Sequence, residues 1–159
     1  MASNVSLSDI VKNVFKAFEC RSDLKIVFDL EESLPKLYDE HDQACESPNQ
    51  VMHRLYWENM HYGKGDRKVV TLLDGNQQVC HIYHSGDHIP EEKLALWNET
   101  LRMLYSGEED LVCTGRFRHG GNNTVAHDLH AMGGTIKYEN VDECGYKVKC
   151  TVTLPVDQT

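Results

Sequence analysis

No stretch of this sequence approaches the roughly 20 consecutive apolar residues that a helix needs to cross a bilayer, so no membrane-spanning helix is expected. Cations are in the minority: 16 Lys and Arg stand against 25 Asp and Glu, a formal net charge of −9. Such a field repels phosphate at long range, which argues against nonspecific binding to nucleic acid or to an anionic membrane. The six cysteines, Cys20, Cys45, Cys80, Cys113, Cys144 and Cys150, never form a Cys-x-x-Cys pair of the kind that marks zinc or redox sites, and they read as structural free thiols. The opening residues MASNVSLSDIVKNVF lack a basic segment followed by an apolar run and lack a lipidation motif. A cytoplasmic chain without membrane contact is the expectation. No Gly-x-Ser-x-Gly elbow is present, so a generic hydrolase has little support, although a Cys-His pair that meets only in space stays open.

What is present suits one globular domain, spanning residues 1–159: 40% of the chain is apolar and 26% charged. There are nine histidines. His81, His84 and His88 lie close together in the chain, and His127 and His130 would share a helix face at i, i+3. With His119, the first three would make a metal or pH sensor, since imidazoles titrate near neutrality. A structural role is the expectation for them, because a metal site needs a full ligand set.

Hydrophobic periodicity predicts a helix from Leu7 to Phe18, capped by Ser6 and Asp9, with Leu7, Ile10, Val11, Val14, Phe15 and Phe18 as its apolar stripe. A short strand follows at Lys25 to Leu30. Ser47-Pro48 starts a second helix running to Tyr62. Two β-rich runs, Arg67 to Leu73 and Gln77 to Tyr83, are joined by the hairpin signal Asp74-Gly75-Asn76. A loop with Gly86 and Pro90 leads to a helix from Glu91 to Tyr105, then to a polar segment from Ser106 to Asn123. The chain closes with a helix from Thr124 to Met132, Gly133-Gly134, a strand from Thr135 to Val141, a turn, and a strand from Tyr146 to Leu154. In that last strand Val148, Cys150, Val152 and Leu154 alternate with polar residues, the pattern of a sheet buried on one side.

This order of elements resembles the ATP-binding catalytic domain of sensor histidine kinases, within the larger family that also holds gyrase, an ATP-driven heat-shock chaperone and the MutL mismatch-repair proteins. The best-matched part is the end, from His130-Ala131-Met132-Gly133-Gly134-Thr135-Ile136 to Lys149-Cys150-Thr151-Val152-Thr153-Leu154-Pro155. The resemblance implies an α/β two-layer sandwich of the Bergerat type, a mixed sheet with helices packed on one face. Fold alone says little about chemistry.

The resemblance also implies where a nucleotide would sit. In the segment from Gln50 to Tyr62, which is similar to the family's asparagine box, Glu58 falls at the position of the magnesium-binding asparagine and His61 at that of the phosphate-binding lysine. Asn59 lies at the middle of the apolar face and is expected to point inward. Glu58 could ligate magnesium as a hard oxygen donor, or pair with Arg54 one turn earlier, and the pair is favoured. The segment from Ile82 to Glu92 resembles the first glycine box, with His84 where an aspartate reads the adenine amino group and His88 where a second glycine stands. A neutral imidazole accepts one hydrogen bond but cannot reproduce a carboxylate with its bound water. A side chain at His88 obstructs close backbone approach. Gly115 to Asn123 stands in for the lid: Gly120-Gly121 can form a tight anion-binding turn, and Arg116, Arg118 and His119 form a positive island.

The positions matching the family's nucleotide site are thus Glu58, His61, Tyr62, His84, Gly86, His88, Gly120 and Gly121. The alterations at 58, 84 and 88 together predict a degenerate domain with no cofactor and no catalysis of its own. It would act as a regulatory or docking module for a signalling protein, namely a response regulator, a phosphotransfer protein or a kinase dimerisation domain. No phosphoacceptor histidine is evident, so an acceptor is expected elsewhere, in a larger kinase of which this chain would be a piece. The alternative is a divergent histidine protein kinase domain that still binds ATP and magnesium through Glu58 and Gly120-Gly121.

Overall fold

Ser6 opens the first helix as its sequence requires. The Ser6 hydroxyl accepts the Asp9 N–H at 3.3 Å, and the Asp9 carboxylate accepts the Ser6 N–H at 3.2 Å, a reciprocal cap. In the computed structural model this helix, α1, spans Leu7–Phe15 and buries Leu7, Ile10, Val11, Val14 and Phe15. Residues 6–16, 25–35, 51–56, 64–106 and 122–156 are described by the structure, so Phe18 and the cysteines at 20, 45 and 113 lie outside the described residues. Among the described residues no helix is long and apolar enough to cross a membrane.

After α1 come β1 (Ile26–Asp29), a helical segment α2 (51–56), β2 (Arg67–Asp74), β3 (Gln77–His84), α3 (Glu91–Ser106), α4 (Asn122–Ala131), β4 (Thr135–Glu143) and β5 (Tyr146–Pro155). Strand order in the sheet is β1-β2-β3-β5-β4. β1 runs parallel to β2, and the other neighbours are antiparallel, so the sheet is mixed as expected. The Asp74-Gly75-Asn76 signal makes its hairpin: Asp74 pairs with Gln77, and Gly75 takes φ +61°, a left-handed conformation that glycine adopts without strain.

Alternation along the strands decides which face is the core. Val69, Cys80, Ile82, Ile136, Cys150, Val152 and Leu154 join one hydrophobic cluster with α1, Val51, Met52 and Leu55 of α2, Leu101 and Leu104 of α3, and Val125, Ala126 and Leu129 of α4. Val79 and Tyr83, on the other face of β3, are buried but stand outside that cluster. The architecture is an α/β sandwich of two layers.

Two contacts fix α1 and α4 on the sheet. The fully buried side chain of Gln78 accepts the Leu7 N–H at 2.9 Å, satisfying one of the helix's unpaired first-turn donors from the sheet itself. At the far end of α4, a Cβ on Gly134 would lie 2.3 Å from the Thr153 carbonyl oxygen. Only glycine lets the chain pass from helix to strand this close to β5.

Candidate functional site

β2 and β3 bring Arg67 and His84 opposite each other in register. Arg67 has the parity of Val69 and Thr71, and His84 that of Cys80 and Ile82, so both belong to the helix-covered face. Arg67 is 1% exposed and its guanidinium donates to the Gly65 carbonyl. Burial, then the Arg67 charge, lowers the His84 imidazole to about 4, against a weaker opposing hydrogen bond with the Lys64 backbone. His84 is therefore neutral at physiological pH. Its Nδ1 is buried without a hydrogen-bond partner.

Gly86 is held against the preceding loop. A Cβ there would approach the Lys64 Cβ at 2.6 Å and the Lys64 carbonyl oxygen at 2.8 Å. The two chain segments also exchange hydrogen bonds, from Asp66 N–H to Ser85 Oγ at 2.8 Å and from Ser85 N–H to the Asp66 carbonyl at 3.1 Å. Close backbone packing inside the protein thus accounts for this glycine.

His88 does not join His84. Its Nε2 lies 2.9 Å from the Val141 carbonyl and 3.3 Å from Asp142, with the side chain 43% exposed. Next to it, the Ile89 N–H donates to Asn140 Oδ1 and Asn140 Nδ2 donates back to the Ile89 carbonyl, each at 2.8 Å. The loop after β3 is thereby fastened to the end of β4. The grouping of His81, His84 and His88 that a metal or pH sensor would need does not form, because His81 and His84 are three residues apart on one strand and face opposite sides of the sheet. His81 meets Thr151 at 2.9 Å instead. Among the described residues no group of three His, Cys, Asp or Glu side chains could hold a metal ion.

A further tie links α2 to α4. Arg54 donates to Asp128 at 3.2 Å, and the Asp128 side chain is only 10% exposed. His127 Nδ1 lies 3.6 Å from the same carboxylate group. Glu58, His61 and Tyr62, along with Asn59, lie outside the described residues, as do Gly120, Gly121, Arg116, Arg118 and His119. Sequence reasoning missed Arg67, Asp128 and Asn140. For Arg67 a signal existed, since alternation from Arg67 through Val69 to Thr71 places it on the buried face; for Asp128 and Asn140, whose partners are far away in the chain, there was none.

No protein-family profile matches the sequence, and no curated protein matches it. Solved structures do. A nucleotide-free form of the catalytic domain of histidine kinase ThkA superposes with a TM-score of 0.66 at 13% identity, covering 100% of this chain and 99% of that one. The chain has the histidine-kinase catalytic fold. The histidine kinase AdeS of Acinetobacter baumannii follows with TM-score 0.61 and 20% identity over 99% of this chain and 70% of that chain. The mycobacterial sensor histidine kinase MprB gives 0.58 and 13%, with both chains covered at 100%. At these identities the likeness is one of fold. What the chain does within that fold is carried by its side chains.

Proposed function

We propose that this chain is a degenerate histidine-kinase ATPase-like domain, a pseudokinase, that has lost nucleotide binding and serves as a regulatory or protein-docking module in phosphorelay signalling. Its partner is a signalling protein: a response regulator, a phosphotransfer protein or a kinase dimerisation domain. The observation that carries this reading is the Arg67–His84 pair. Where the family's resemblance places a carboxylate that reads the adenine amino group, this chain has a neutral imidazole backed by a buried guanidinium. The local charge has changed sign, and an amino donor meets a weaker acceptor. The Arg54–Asp128 ion pair supports the same reading, because it spans from the asparagine-box helix to the helix that follows the lid.

One observation favours the second reading, a divergent domain that still binds ATP and magnesium. The unpartnered His84 Nδ1 is a buried acceptor, and a buried acceptor gains from any donor that reaches it.

Titration with a fluorescent ATP analogue in the presence of magnesium separates the two. Silence up to about millimolar concentration, an affinity of about −4 kcal/mol or weaker, is the expected result. Saturable binding at micromolar concentration overturns the proposal in favour of the kinase.

A further inference from the structure

β1 is the edge of the sheet, and beside it lies a cleft of about 500 Å³, a size typical of binding pockets. One wall is α1 with its C-cap residue Lys16, lining it with Asp9, Lys12 and Lys16; the floor is Phe28 and Leu30; the other wall is Glu31 and Glu32. Its frame is fixed. The Ser8 hydroxyl donates to the Glu31 carbonyl at 2.8 Å and lies 2.6 Å from the Thr71 hydroxyl, which in turn accepts the Glu31 N–H at 2.9 Å.

Among the described residues no ion pair joins Lys12 or Lys16 on one wall to Glu31 or Glu32 on the other, while Asp9, which also lines the α1 wall, is held in the cap with Ser6. The floor is apolar and half-buried. The Arg67 N–H bonds the Lys25 carbonyl at 2.8 Å, so alternation along the parallel ladder turns the main-chain groups of Ile26 and Phe28 to the edge, which no strand among the described residues covers. A free strand edge is satisfied by an extended backbone, which a compact small molecule does not supply.

We propose that this cleft is a peptide-docking site that takes an extended segment of a partner protein. The segment adds to the edge of β1, sets an apolar side chain on Phe28 and Leu30, and carries a carboxylate toward Lys12 and Lys16 and a cation toward Glu31 and Glu32. The inference deepens the docking-module reading and rests on it for the partner's role in signalling, while the cleft itself stands on its geometry.

A fluorescein-labelled peptide of two glutamates, three valines and two lysines is the probe, with fluorescence anisotropy as the readout on the full chain. The expected result is saturable binding that weakens with salt, falls about tenfold in Lys12→Glu/Lys16→Glu, and is unchanged in Lys93→Glu, an exposed control on α3. Glu31→Lys/Glu32→Lys gives a second test on the opposite wall with the same expected loss. Bound peptide also slows hydrogen exchange at the Ile26 and Phe28 amides. No saturation below about 1 mM, affinity unchanged from the parent in either charge-reversed variant, or binding without protection of those amides overturns the proposal. The ATP-analogue titration reports separately: nucleotide binding removes the pseudokinase reading whatever the peptide does, and peptide failure with nucleotide silence removes only the cleft.

Discussion

Arg67 and His84 face each other across β2 and β3, one a fully buried guanidinium and the other an imidazole held neutral beside it. Each constrains the other. The arginine's charge adds to burial in disfavouring protonation of the ring, and a protonated ring would put two cations on adjacent strands of the helix-covered face.

Acid should therefore weaken the fold through His84. Its imidazole sits at about 4 in the folded chain against an ordinary value of 6.5. Between these values the unfolded chain binds a proton that the folded chain refuses, so this contribution is complete above about pH 6.5 and is lost as pH falls toward 4. Discounted for the ring's partial exposure, the loss is about 1–2 kcal/mol. Urea unfolding at about pH 7 and pH 4.5 should show His84→Gln losing less stability than the parent; equal losses would contradict the assignment.

Removing Arg54 leaves the Asp128 carboxylate, 10% exposed, without its guanidinium. Arg54→Met is expected to cost about 1–2 kcal/mol, the lower side of the range for broken ion pairs because Arg54 itself is a third exposed. Asp128→Asn in the same background should recover part of the loss, since the buried charge that the guanidinium offset is gone. A double-mutant cycle in urea measures this coupling.

Asn140 satisfies both main-chain groups of Ile89. Asn140→Ala should destabilise the chain by about 1–3 kcal/mol and speed amide exchange at Ile89 while leaving the strand amides of β3 protected. Asn140→Asp keeps the acceptor and loses the donor, so exchange at Ile89 should fall between the two. Hydrogen exchange read by mass spectrometry or NMR decides it.

Thiol reactivity should divide the described cysteines. Burial pushes Cys80 above its ordinary range and Cys150 up to about 12, whereas Cys144 is exposed at the β4–β5 turn with φ +52°. Iodoacetamide at about pH 7.5 should label Cys144 in the native protein and reach Cys80 and Cys150 only on unfolding, because the thiolate is the nucleophile. Mass mapping of the labelled peptides gives the answer directly.

Much of the fold was legible because local signals and burial agree here. The capping pair Ser6 and Asp9 and the stripe from Leu7 to Phe15 meet in one helix, and Asp74-Gly75-Asn76 sits between two alternating runs that pair as a hairpin. The alternation of Val148, Cys150, Val152 and Leu154 identifies a buried face at whichever residue the strand begins. Boundaries moved by one or two residues where ladder pairing continues past the last apolar side chain, as at Asp74 and His84.

The site divided differently. His84 and Gly86 were legible as positions, through their spacing in a glycine-box pattern, but their surroundings were not. Proximity in sequence grouped His81 with His84, and the period of a strand separates them onto opposite faces.

The amino-acid sequence by itself determined the order of the described elements, the buried stripes of α1 and β5 and the turn at Asp74-Gly75-Asn76, because these depend on backbone preference and on hydrophobic spacing within a few residues. Tertiary structure alone decided that Arg67 lies opposite His84, that Arg54 reaches Asp128, and that Asn140 clamps Ile89. Those are contacts between charged or polar groups distant in the chain, and a polar group's partner is set by where packing leaves it when water is removed.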